Sequence, residues 1–178
     1  EDYITKSPVR RIHKVRTDSL VKETLSDENL EILRDSCDTL RDLAMIDLLA
    51  STGMRVGELV NLNIQNINFQ ERQCIVFGKG NKERIIYLND ACETALKAYL
   101  NVRPQNIRQE AENALFISRN RNRISKQTVQ WLVYKHLREA GLDRPGMSVH
   151  KLRHTAATLM YQHGHTDVRV LKDILGHE

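Results

Sequence analysis

Cysteine is scarce in this chain, and Cys37, Cys74 and Cys92 stand far apart with no Cys-x-x-Cys pair. That spacing argues against zinc held by paired thiolates and fits a reduced, intracellular protein. No apolar run is long enough to cross a bilayer, and no secretory pattern opens the sequence. Nothing repeats at a fixed period. No glycine-rich phosphate loop of the P-loop or Rossmann type appears, and Gly78 and Gly80, flanking one lysine between strands, are a weak basis for a nucleotide loop. The histidines, for their part, have no carboxylate-rich cradle beside them, so a metal site has little to build on.

What remains is the composition of a globular chain. The 178 residues are 40% hydrophobic and 28% charged, enough for one sizeable core rather than a disordered segment. Lys and Arg total 27 against 23 for Asp and Glu, a formal charge of +4. An excess that small permits nucleic-acid binding without establishing it, because clustering matters more than the sum. Glu1 is not a natural start residue, and Glu178 follows directly on an apolar run. Both features suggest a fragment.

Residues 1–24 carry Lys6, Arg10, Arg11, Lys14, Arg16 and Lys22 without helical period. They read as a basic linker or arm, followed by one domain over 25–178. Ser26 is placed to cap a first helix, and a second runs from Leu40 to Ala50 until Gly53 ends it. A short third helix begins near Val56. The pattern then changes to three short strands around Ile67 and Phe69, Cys74 to Phe77, and Ile85 to Tyr87. Helix resumes after Asn89 or Asp90 and ends before Pro104. Further helices are predicted over Lys126–Ala140, capped by Ser125, from Ser148 or Val149 to Gln162, and around Val168–Leu175. The class is α+β, mainly helical, with a small three-stranded antiparallel sheet.

Five cationic or protonatable residues sit on unusual local motifs. Arg55 lies in Thr52-Gly53-Met54-Arg55-Val56-Gly57-Glu58-Leu59, at a turn between helices. Lys79 lies in Phe77-Gly78-Lys79-Gly80-Asn81-Lys82-Glu83-Arg84, at a strand turn. His150 and Arg153 share one helix face in His150-Lys151-Leu152-Arg153-His154, and His177 closes Leu175-Gly176-His177. Such a set suits an anionic phosphate whose charge redistributes during a reaction. Each alone is weak, since isolated surface lysines and histidines are common; the joint pattern is the signal.

That joint pattern resembles the catalytic domain of tyrosine recombinases, the integrase family that includes the Xer resolvases, from about Leu25 to Glu178. The resemblance implies that Arg55 and Arg153 hold a scissile phosphate through paired, charge-assisted hydrogen bonds. It makes Lys79 the general acid for the leaving 5′-oxygen, with His150 taking a proton or orienting the phosphate and His177 donating a further bond. Glu58 supports the Arg55 turn or is an exposed helix charge. Lys151 departs from the acidic residue that many relatives carry there. The family's nucleophile is a tyrosine beyond the Leu-Gly-His box, and none of Tyr3, Tyr87, Tyr99, Tyr134 or Tyr161 matches it. Tyr134 and Tyr161 are expected as half-buried packing residues.

The resemblance also implies double-stranded DNA as partner and strand exchange through a 3′-phosphotyrosyl link, with neither cofactor nor metal. It implies a synaptic homotetramer for the full-length parent and a cytoplasmic, nucleoid-associated location. The fragment itself is expected to be monomeric and unable to cleave. Candidate DNA contacts are Lys82, Arg84, Arg119, Arg121, Arg123, Lys126 and Lys135 to phosphate, and Gln127 and Gln130 to base edges. Two alternatives stay open. One is a non-catalytic DNA-binding regulatory domain of the same fold. The other is a metal-dependent phosphoesterase using His150, His154, His163, His165 and His177.

Overall fold

The computed structural model describes residues 24–164. The basic arm, the helix expected around Val168–Leu175, and His165 and His177 lie outside the described residues. Six α-helices and one sheet fill the described part. Helix α1 (Asp27–Asp35) starts where Ser26 Oγ accepts the Asn29 N–H, and α2 (Leu40–Thr52) starts where Thr39 Oγ1 accepts that of Asp42. Both caps satisfy an amide that the first turn would otherwise leave bare. Gly53 ends α2 at φ +64°, a left-handed position that glycine occupies without Cβ strain. Three residues later the chain enters α3 (Val56–Asn61).

Strands β1 (Ile67–Asn68), β2 (Gln73–Phe77) and β3 (Glu83–Tyr87) pair antiparallel in the order β1-β2-β3. The register puts Cys74 opposite Ile86 and Val76 opposite Arg84, so Cys74, Val76 and Ile86 face the core. Helix α4 (Asp90–Val102) follows an Asn89 cap, α5 (Lys126–Glu139) a Ser125 cap, and α6 (Val149–Gly164) completes the set. Where an end was predicted, these elements match it within two residues. The segment from Gln105 to Asn113 holds one 3₁₀ turn, Gln109–Ala111.

Helix α2 is the axis. Met45, Ile46, Leu48 and Leu49 are buried along it, because it packs against α4 on one side and α6 on the other. Truncating any one of these leucines to alanine in such a core costs about 2–5 kcal/mol. Leu25 is tied to α6 at the start of the described chain, its N–H donating to Thr155 Oγ1. Phe116 stacks on Tyr99, whose hydroxyl accepts the Ile117 N–H. That tyrosine is a buried strut.

Two polar side chains inside this frame were not foreseen as structural. His136 is fully buried on α5, with Nε2 3.0 Å from Asp42 Oδ2 and Nδ1 3.0 Å from the Ser36 carbonyl, clamping α5 to the start of α2. Arg123, expected on a DNA phosphate, turns inward instead. Its guanidinium donates to the carbonyls of Val60 and Leu62 at 3.0 and 2.9 Å and to Asn63 Oδ1 at 2.5 Å. It satisfies the carbonyls that the end of α3 leaves without helical partners. Replacing Arg123 by Ala should therefore lower stability by about 2–3 kcal/mol in urea unfolding, through lost charge-assisted bonds. Unchanged stability would refute that role.

Asp47, buried on α2, lies 2.8 Å from Arg34 Nε, but Arg34 Nε and Asp47 Oδ2 are both buried without a hydrogen-bond partner among the described residues. Burial outweighs the nearby arginine charge and pushes the Asp47 carboxyl up to about 6. A folded value above the unfolded one means the folded chain binds more protons between those limits. The stability Asp47 contributes is therefore full below about pH 4 and is lost as pH rises through about 6. Relative to the parent, Asp47→Asn should gain on the order of 2–3 kcal/mol between pH 4 and pH 7 by urea unfolding. A pH-independent difference would contradict this.

Candidate active site

The site is assembled by the α2–α3 turn and the adjoining faces of α5 and α6, with the β2–β3 hairpin beside it. Gly53's left-handed conformation presents its carbonyl to α6, where Arg153 Nη1 donates to it at 2.6 Å. Arg55, two residues on, is held by Glu58 one helical turn later. The Arg55 N–H reaches Glu58 Oε2 at 2.7 Å, and its Nη1 lies 3.3 Å from Oε1. Glu58 is buried while the Arg55 side chain keeps 44% of its surface exposed. The acid is thus no exposed helix charge; it anchors the turn.

Arg55, His150 and Arg153 line one cleft of about 400 Å³, joined by Lys126 and Gln130 from α5 and by His154. The i, i+3 spacing on α6 puts His150 and Arg153 on the same face. Burial lowers the Arg153 pKa to about 10, and the Arg55 charge pushes the same way; Glu58 opposes them and Arg84 adds to them. Four charged groups therefore feel one another here, three cationic and one anionic. A cleft with that balance favours an anion able to meet two guanidinium groups at once.

Lys79 is on the hairpin rather than in the cleft. The turn closes with Gly78 N–H to the Lys82 carbonyl at 2.8 Å and Asn81 N–H to that of Gly78 at 3.1 Å, and Gly80 and Asn81 both have positive φ. Lys79 and Lys82 are exposed on this turn. The hairpin base nevertheless adjoins the site: a Cβ on Gly78 would stand 3.8 Å from Glu58 Oε1. The lysine thus projects from beside the carboxylate that anchors Arg55.

The DNA-contact candidates other than Lys82 fall into several settings. Lys126 and Gln130 line the cleft, and Gln127 is exposed on the first turn of α5. Arg119 and Arg121 are exposed on the turn closed by Ser118 N–H to the Asn122 carbonyl, and neither lines the cleft. Arg84 and Arg123 point inward; Arg84 Nη2 lies 2.6 Å from Glu58 Oε2, with only 14% of its side chain exposed. Lys135 pairs with Asp38 and, at 3.7 Å, with Glu139. Of the tyrosines, Tyr99 is buried, about half of Tyr134 and Tyr161 is exposed, and Tyr87 stands on the outer sheet face. Among the described residues no tyrosine lines the cleft.

The sequence reading missed two features. Gly57 lets Lys126 approach, since a Cβ there would meet Lys126 Cε at 3.2 Å and Nζ at 3.4 Å. The Glu58–Arg84 pair joins the arginine turn to the hairpin, across a separation of 26 residues that no local motif reveals. Among the described residues, the one group of three potential metal ligands is Asp38, His136 and Glu139, where the Lys135 ammonium already sits against both carboxylates. His150, His154 and His163 belong to no such group, and His163 pairs with Asp27.

Comparison with known proteins bears on the family and the fold. The phage integrase family matches residues 23–178. Tyrosine recombinase XerC of Caldanaerobacter subterraneus subsp. tengcongensis is 52% identical over 137 residues, covering 77% of this chain and 38% of that protein. Tyrosine recombinase XerD of Staphylococcus epidermidis is 32% identical across 99% of this chain and 61% of its own. The chain thus spans less than two thirds of these relatives' length. Among solved structures, the XerA recombinase superposes with a TM-score of 0.78 at 33% identity, over 86% of this chain and 56% of that one. The XerH site-specific recombinase bound to its difH substrate, a pre-cleavage complex, gives 0.74 at 28% identity over 87% and 47%. With the match extending over nearly all the sequence and the same helical fold in the superposed structures, the chain belongs to the phage integrase family.

Proposed function

We propose that this chain is catalytic-domain sequence of a site-specific DNA tyrosine recombinase that breaks and rejoins duplex DNA through a 3′-phosphotyrosyl intermediate. The observation that supports it best is the cleft shared by Arg55, His150 and Arg153, contributed by elements about 100 residues apart in sequence. In this reading the two guanidinium groups bind the non-bridging oxygens of one scissile phosphate. They stabilise the extra negative charge of the five-coordinate transition state.

The tyrosine hydroxyl supplied by the full protein attacks phosphorus, and His150 accepts its proton or orients the phosphate. The bond to the deoxyribose 5′-oxygen breaks, and Lys79 delivers a proton to that oxygen, since the bare alkoxide leaves poorly. Lys79 reaches the reaction by movement of the hairpin over the cleft. A freed 5′-hydroxyl then attacks the phosphotyrosine and reverses the step, conserving the phosphodiester energy without ATP or metal. His177 donates a further hydrogen bond.

Duplex DNA is the partner in this reading. XerH is a site-specific recombinase bound to its difH substrate, and the cleft of this chain is cationic. Lys82, Arg119, Arg121 and Lys126 supply phosphate contacts, and Gln127 and Gln130 reach base edges from α5. Residues 1–24 form the basic link to a preceding DNA-binding domain. The full protein acts as a synaptic homotetramer in the cytoplasm, on the nucleoid, whereas this chain alone is monomeric. Among the described residues no helix is long and apolar enough to cross a membrane.

The test is duplex binding by fluorescence anisotropy over a salt series. Affinity should fall steeply with salt, and Arg55→Met or Arg153→Met should each weaken binding about tenfold and flatten the slope by about one counterion. Binding that ignores both substitutions would overturn the proposal. Covalent capture is then tested in the full protein, where the same substitutions should reduce the DNA-linked species by at least about a hundredfold.

A further inference from the structure

Arg84 occupies a place that neither phosphate binding nor packing explains. It stands on β3 opposite Val76, with 14% of its side chain exposed, and donates from Nη2 to Glu58 Oε2 at 2.6 Å. Its Nε and Nη1 are buried and meet no hydrogen-bond acceptor among the described residues. Two bare, buried N–H groups are costly. A guanidinium kept there for hydrogen bonding alone would be a poor choice. Its charge is the more useful property.

The geometry at Glu58 shows where that charge acts. The carboxylate has two guanidinium neighbours and they are unequal: Arg84 at 2.6 Å and Arg55 Nη1 at 3.3 Å. The remaining strong bond on Glu58 comes from the Arg55 backbone, not from its side chain. An isolated buried carboxylate beside the cleft would draw the nearest cation onto itself, because attraction strengthens as solvent is excluded. The nearest cation after Arg84 is Arg55.

We propose that Arg84 is a positioning residue of the cleft: by taking the closer guanidinium contact of Glu58 it balances that carboxylate and keeps Arg55 from being neutralised by it, so that Arg55 and Arg153 bind one phosphate together. This extends the reading of the cleft as a phosphate site and rests on it. Its electrostatic reach agrees, since Arg84 and Arg55 both act to lower the Arg153 pKa while Glu58 acts to raise it. A Cβ on Gly78 would stand 3.8 Å from the same carboxylate, so the pair also adjoins the hairpin that carries Lys79.

The experiment compares the unmodified chain with Arg84→Met, Glu58→Gln and the double variant, using a short labelled duplex and anisotropy, with circular dichroism and thermal melting as fold controls. Glutamine keeps an acceptor for the Arg55 N–H while removing the charge. Arg84→Met should weaken binding about tenfold, and adding Glu58→Gln should restore affinity to within about twofold of the parent. A structural or direct phosphate role for Arg84 would not be rescued this way, so a double variant as weak as Arg84→Met overturns the proposal. If Arg84→Met alone does not fold, the double variant, which buries no unbalanced charge, decides: near-parental affinity supports the proposal and a tenfold loss refutes it. Failure of the parent to bind in an Arg55- and Arg153-dependent manner would remove the phosphate reading itself, and this inference with it.

Discussion

The site is organised around one hydrogen bond, from Arg153 to the carbonyl of Gly53. Helix α2 must end abruptly for that carbonyl to be exposed, and only a residue tolerant of positive φ ends it in this way. The same turn delivers Arg55 two residues later, so one backbone feature fixes both guanidinium groups. The burial of α2 against α4 and α6 holds the turn and the arginine helix at a constant separation. Core packing thereby becomes site geometry. A half-buried arginine carries a desolvation cost, and here the carbonyl and the Glu58 charge offset it.

Charge balance is the second constraint. Three arginines and one glutamate share the neighbourhood, and the fold separates their duties by depth. Arg84 lies beneath, paired closely with Glu58; Arg55 and Arg153 line the cleft above. Lys126, admitted by the missing side chain of Gly57, adds a cation from α5. Elsewhere the same logic gives structure rather than binding. Arg123 spends its donors on the carbonyls of Val60 and Leu62, and Lys135 on Asp38.

Much of this was legible in the sequence wherever the cause is local. Ser26, Asn89 and Ser125 act on amides three residues away, so their caps and the helices they start could be read directly. The strand pattern around Cys74, Val76 and Ile86 was readable for the same reason, because alternation records burial on one face. Arg84 and Arg123 stood among the phosphate-contact candidates because a sequence displays charge and not the acceptor. The acceptors here lie 26 and about 60 residues away. His136 gave no signal at all, since its partner Asp42 is 94 residues distant. The grouping of Arg55 with His150 and Arg153 came from family motifs; spacing alone carried no hint of it.

The central claim is that Arg55 and Arg153 act on a single anion. The direct measurement is the anomalous diffraction of crystals soaked in tungstate, a tetrahedral oxyanion like phosphate that marks its own position. The expected result is one tungsten peak in the α2–α3/α6 cleft, with oxygens about 2.7–3.0 Å from both guanidinium groups. Tungstate bound to either arginine alone, or only at sites outside the cleft, would contradict it.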